Sequence, residues 1–146
     1  MKTLITGSSG FVGLALTEEL LRTGNHVVGF DTISPSREVL DVFAALPGEF
    51  SLCAGDVRDP STLEAALCSH RCENLVTLAA VTADESRERR QPALIYEVNV
   101  AGALNSIQIA ARHGVSRFVH VSSGSVYGKS GYIGTPLNET DTPLRP

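Results

Sequence analysis

A short apolar run, Lys2-Thr3-Leu4-Ile5-Thr6, stops at Gly7, and Gly10 and Gly13 follow at three-residue steps. Helical periodicity begins at once, through Phe11, Leu14, Ala15, Leu20 and Leu21, and stops at Thr23-Gly24. Few folds accept this order. A strand that turns at a glycine into a helix, with glycine again at the helix start and one turn inside it, reads as the opening of a βαβ unit. Gly7 lets the backbone leave the strand sharply. Gly10 keeps side-chain atoms away from the helix N-terminal amides, and Gly13 lets the helix lie close to the sheet. Those amides and the helix dipole favour a bound diphosphate.

A glycine triplet alone is a weak signal, so its surroundings decide. A second apolar run, His26-Val27-Val28-Gly29-Phe30, ends in Asp31, about 20 residues past the glycines, where an acid accepts hydrogen bonds from a ribose 2′-hydroxyl. A carboxylate there repels a 2′-phosphate, so the pattern points to NAD rather than NADP. Arg37 is the nearby cation that argues the other way, and it reads as a solvated loop charge.

The chain's 146 residues suit one domain with one sizeable core. A net charge of −4 and 5% aromatic residues leave neither a basic face nor stacking platforms for nucleic acid. No apolar run is long enough to span a bilayer, so no membrane partner is expected. The N-terminus enters a strand without a basic-then-apolar leader, which reads as cytoplasmic. Cys53, Cys68 and Cys72 are odd in number and have no CxxC spacing, so they read as reduced structural thiols. The four histidines are scattered without ligand spacing, and no metal is assigned.

Strand and helix patterns alternate to about residue 128. Strands are expected near 2–6, 26–31, 50–55, 74–79 and 117–122, and helices near 11–23, 36–46, 60–69 and 92–113. The strands are nearly continuous apolar runs, as in a parallel sheet covered on both faces. The fold class is therefore α/β, a doubly wound parallel sheet, Rossmann-like and incomplete at the C-terminal side. Residues 1–128 read as the dinucleotide-binding domain, and residues 129–146 as a loop leading to an active-site helix and a substrate part beyond Pro146. The fifth strand would then be an unpaired apolar edge, to be covered by further chain or by a partner.

Val121-Ser122-Ser123-Gly124-Ser125-Val126-Tyr127-Gly128 closes the fifth strand. With Thr6-Gly7-Ser8-Ser9-Gly10-Phe11-Val12-Gly13, Gly55-Asp56-Val57, Leu78-Ala79-Ala80 and Asn99-Val100-Ala101-Gly102, it resembles the extended short-chain dehydrogenase/reductase family, in its NAD-dependent epimerase/dehydratase branch. The resemblance implies that Gly7, Gly10, Phe11, Val12 and Gly13 line the pyrophosphate and that Asp31 holds the adenosine ribose. It places Asp56 and the Val57 backbone at the adenine edge, although Asp56 also suits a turn cap before Asp59-Pro60. Ala79, Ala80 and Val81 would run beside the nicotinamide ribose, and Asn99 would steady the active-site network. Ser123 matches the catalytic serine or threonine and would hydrogen-bond the reacting substrate oxygen, with Ser125 as a second polar substrate contact. Tyr127 reads as structural, and Thr77 stands where many members carry histidine.

Gly124-Ser125 follows the serine where the family's dehydratases carry Asp-Glu, which favours an epimerase or a plain dehydrogenase. The activity implied is hydride transfer at a hydroxyl-bearing carbon of a sugar, a nucleotide sugar by resemblance, in a protein that forms a homodimer when full length. The family's general acid is a tyrosine with lysine four residues later, and no Tyr-x-x-x-Lys occurs between Met1 and Pro146. The pair would fall just past Pro146, so the chain as it stands is expected not to catalyse. The competing reading is an NAD-binding sensor or scaffold without catalysis.

Overall fold

The computed structural model describes residues 1–82, 84–124 and 138. Its strands are β1 (Lys2–Thr6), β2 (His26–Asp31), β3 (Glu49–Ala54), β4 (Asn74–Thr77) and β5 (Arg117–His120). All pair in parallel, in the order β3-β2-β1-β4-β5. The helices are α1 (Phe11–Arg22), α2 (Arg37–Ala44), α3 (Pro60–Ser69), α4 (Glu85–Arg90), α5 (Pro92–Tyr96) and α6 (Gly102–Arg112), with a π-helical turn, Glu97–Ala101, between the last two. This is the doubly wound arrangement the alternating pattern implies, with the chain reversing direction of travel between β1 and β4.

Strand alternation builds a core on each face of the sheet. Leu4, Val28 and Leu75 lie in one row of the register and bury toward α3 and α6, joining Leu63, Leu67 and Ile109. Their neighbours Ile5 and Val27 face the other way and meet Leu21 and Phe43 from α1 and α2. Leu4, Ile5, Leu63 and Leu75 are fully buried. Each contributes about 1.5–3 kcal/mol from burial alone, which outweighs any single surface ion pair.

Local chemistry sets the ends. Asp59 accepts a hydrogen bond from Ser61 N and Pro60 takes the first helical position, so α3 begins where the sequence places it. Strands β4 and β5 are each two residues shorter than their apolar patterns suggest. Leu78 N still reaches the Thr6 carbonyl, but Ala79 N turns to the Thr6 hydroxyl at 3.3 Å, and the ladder ends there. The stretch expected as one helix over 92–113 is helical throughout but carries the π turn. Helix α4 departs from the sequence reading altogether. Its residues, Glu85-Ser86-Arg87-Glu88-Arg89-Arg90, have no apolar face, and only the Asp84 side chain, capping Arg87 N at 2.7 Å, marks its start.

Among the described strands β5 pairs with β4 alone; Val119 within it is 41% exposed and Val121 just past it 49%. Among the described residues the expected apolar edge is present. Two hydroxyls, Ser8 Oγ and Thr17 Oγ1, are buried with no hydrogen-bond partner among the described residues. An unsatisfied buried hydroxyl costs about 1–3 kcal/mol, so Thr17→Val, which keeps the shape and removes the polar atom, should leave urea stability unchanged or higher. A loss above about 1 kcal/mol would mean that Thr17 has a partner.

Candidate functional site

The β1–α1 turn is built by contact between main chains. Gly7 has φ +70°, and a Cβ there would lie 2.6 Å from Ala79 N. A Cβ on Gly13 would lie 2.2 Å from the Gly7 carbonyl oxygen, which no rotamer relieves. These two glycines are demanded by the fold. Gly10 is different, because a Cβ there meets only Gly7 O, at 3.3 Å. As N-cap of α1 it supplies no side-chain acceptor, so the first amides of the helix have no cap and no intrahelical partner. Gly10 lines the space in front of the helix N-terminus.

That space is a cavity of about 590 Å³ at the carboxyl ends of the strands, where the strand order reverses. It brings together Gly7, Gly10, Asp31, Asp56, Val57, Ala79, Ala80 and Val81, all singled out by sequence. Phe11, Val12 and Gly13 are absent from its lining. The Phe11 and Val12 side chains point to solvent, 93% and 53% exposed, so what these residues offer a ligand is their backbone N–H groups.

Asp31 is held by main chain. Its Oδ2 accepts from Ser9 N at 2.9 Å and its Oδ1 from Ile33 N at 3.1 Å, while the Ser9 hydroxyl donates to Ile33 O. The carboxylate is thereby fixed at the β2 tip beside the α1 turn. Of the two roles weighed from sequence for Asp56, the structure shows the turn cap and places the residue at the cavity. The Asp56 Oδ1 accepts from Arg58 N at 2.9 Å. The hydrogen bonds from the Arg58 side chain hold the Asp56 carboxyl below its ordinary range. Arg58 Nη1 also reaches Glu97 Oε2 at 3.1 Å, which ties this loop to the π turn.

Asn99 lies in that π turn and grips one residue from both sides. Its Oδ1 accepts from Val81 N at 2.7 Å, and its Nδ2 donates to Val81 O at 3.0 Å. It holds the main chain of Val81, which lines the cavity, while its own side chain stays out of the lining. Asn105 does similar service by donating to Val57 O at 2.9 Å. Sequence reasoning missed Asn105, as it missed Ser9, Ile33, Arg58, Leu94 and Val98 in the lining. The Asp-Val-Arg-Asp stretch was the available signal for Arg58, since a cation two residues from a turn acid reaches it. Thr77 Oγ1 meets His120 Nδ1 on β5 at 2.7 Å. Ser123 sits exposed just past β5, at the carboxyl edge but outside the cavity lining, and Ser125, Tyr127 and the 129–146 loop apart from Asn138 lie outside the described residues.

The family model for the NAD dependent epimerase/dehydratase family matches residues 3–146. UDP-glucose 4-epimerase of Klebsiella pneumoniae is 33% identical over 130 residues, covering 88% of this chain and 93% of that protein. UDP-glucose 4-epimerase of Mycolicibacterium smegmatis is 36% identical over 129 residues, covering 88% of this chain but 41% of its own length. The crystal structure of Thermus thermophilus UDP-glucose 4-epimerase in complex with NAD superposes with a TM-score of 0.80 at 30% identity, over 99% of this chain and 44% of that one. The chain thus spans less than half the length of the latter two.

The glycines separate fold from ligand. Gly13→Ala should cost about 3 kcal/mol or more by overpacking backbone on backbone. Gly10→Ala should cost about 1 kcal/mol, the loss of a tolerated N-cap. Urea unfolding of the two variants checks the order, and equal losses would contradict it.

Proposed function

The chain belongs to the NAD dependent epimerase/dehydratase family, and from that premise we propose that the intact protein is an NAD-dependent epimerase of a nucleotide sugar, of the UDP-hexose class. The supporting observation is the cavity itself. It has a bare helix N-terminus on one wall, a fixed carboxylate at the β2 tip, and a Gly10 where a Cβ would press on Gly7 O alone, at 3.3 Å.

The residues present fit NAD. Gly7 and the backbone N–H groups of residues 10–13 would take the pyrophosphate, and Asp31 the adenosine ribose hydroxyls. Asp56 and Val57 would meet the adenine, and Ala79, Ala80 and Val81 the nicotinamide ribose. Bound there, the nicotinamide supplies a hydride acceptor and donor for one sugar carbon. Asp31 excludes a 2′-phosphate by charge repulsion. Asn99 keeps Val81 in place, so this wall of the site is set before any ligand arrives. The Ser123 hydroxyl would hydrogen-bond the sugar oxygen whose proton leaves and returns, while the sugar carbon regains hydride on its other face. Ser125 would add a second polar contact. Residues 1–128 would act as the cofactor domain, with the general acid and the sugar site supplied by chain beyond Pro146.

The reading includes a homodimer. Tyr96, Val100, Leu104 and Ile107 recur at helical spacing along the run from α5 to α6 and are 46–63% exposed, an apolar stripe that suits a second copy. The three cysteines are free, which suits a reducing, cytoplasmic setting.

The test is interconversion of UDP-glucose and its 4-epimer by the intact protein with NAD. Ser123→Ala should lower kcat by about a hundredfold or more, as loss of a proton-handling contact does, and Asp31→Ala should erode the preference for NAD over NADP. Absence of epimerisation for every UDP-sugar offered, or a wild-type rate for Ser123→Ala, would refute the reading.

A further inference from the structure

Near the C-terminal ends of α3 and α6, away from the cavity at the strands' carboxyl ends, lies a second group of reactive side chains. Glu64 Oε1 accepts from His113 Nε2 at 2.5 Å and from Arg112 Nη1 at 2.8 Å. Cys68 Sγ lies 3.5 Å from His113 Nδ1 and 3.8 Å from Nε2, and Cys68 is exposed. The bonds from His113 and Arg112 hold the Glu64 carboxyl below its ordinary range, so it stays ionised and keeps the Nε2 proton of His113. Nδ1 is then the basic nitrogen, and it is the one nearer the thiol. Carboxylate, imidazole and thiol in this order let the ring take the sulfur's proton.

The other two cysteines make a contrast within the same fold. Cys53 Sγ also meets an imidazole, His70 Nε2 at 3.3 Å, but it is half-buried and burial raises its thiol pKa. Burial pushes the Cys72 thiol up to about 11. Accessibility, a neighbouring base and a carboxylate behind that base coincide at Cys68.

We propose that Cys68 is a thiol-modification site, a nucleophile served by the Glu64–His113 pair that forms mixed disulfides with low-molecular-weight disulfides. His113 Nδ1 takes the Cys68 proton, and the sulfur attacks one sulfur of the incoming disulfide. That S–S bond breaks as the new one forms, and the departing thiolate takes the proton back from His113. Cys68 sulfur is oxidised, the departing sulfur is reduced, and no further oxidant is needed. The charged and titratable groups around the thiol are Glu64 on α3, Arg112 at the end of α6, His113 at its C-cap, and Cys72 just past α3. The proposal stands apart from the nucleotide site and from the epimerase reading.

Reaction of the intact protein with 2,2′-dithiodipyridine tests it, with adducts located by peptide mass and rates followed from about pH 5 to pH 8, below the ordinary thiol range. Cys68 should react about tenfold or more faster than Cys53 and Cys72 near neutral pH, and faster than free cysteine at the acid end. His113→Asn should abolish that acid excess, and Glu64→Gln should reduce it. A Cys68 rate that follows free cysteine across the range overturns the proposal, and this wild-type profile decides even if a variant fails to fold. An acid excess that survives His113→Asn overturns it as well.

Discussion

A methyl group on Gly13 would fall 2.2 Å from the carbonyl oxygen of Gly7, so helix α1 touches the end of β1 main chain to main chain. No side chain mediates this contact, and none fits. It fixes where the uncapped N-terminus of α1 stands relative to the tips of β1 and β2, within a hydrogen bond of Asp31 through Ser9 N. Leu21, near the far end of α1, anchors the helix against Ile5 and Val27 on the sheet. One close approach and one apolar anchor therefore orient a helix dipole at the place where the strand order reverses.

Around that fixed point the walls are loops, and each is held by a polar tie. Asp31 gathers Ser9 and Ile33, Arg58 bridges Asp56 and Glu97, Asn99 clasps Val81, and Asn105 holds the Val57 carbonyl. Individually such bonds are worth about 0.5–1.5 kcal/mol, small beside the burial of the core. Their effect is geometric: they order loops without filling the cavity with side chains, which leaves the concavity open and rigid. The π turn contributes here, since Asn99 and Glu97, two of the tying groups, both come from it. Such turns recur at functional sites because they re-aim side chains out of strict helical register.

Local signals made much of this legible. Gly7, Gly24 and the Asp59-Pro60 cap mark element ends that the structure reproduces within a residue, because each acts through its own backbone conformation. The cavity residues Gly7, Gly10 and Asp31 were legible because their spacing reflects one compact unit, whereas Asp56 was marked by the family resemblance of Gly55-Asp56-Val57. The polar ties were not, since Arg58 to Glu97 and Asn105 to Val57 span long stretches of sequence and exist only once α6 has packed on α3. Helix α4 left no apolar period to read, and a one-residue π insertion does not disturb the apolar pattern of 92–113 enough to show. Cys68, His113 and Glu64 looked unrelated in sequence for the same reason: packing of α3 against α6 alone brings them together.

The central claim is that bare amides at the start of α1, with Asp31 beside them, form the seat of a dinucleotide that carries no 2′-phosphate. Amide-resolved NMR of the intact protein during titration with NAD, and separately with NADP, measures this directly. The account predicts that the backbone N–H signals of residues 9–13 and of Asp31 move with NAD at lower concentration than with NADP. Signals there that stay unmoved while others respond, or that respond equally to both nucleotides, would contradict it.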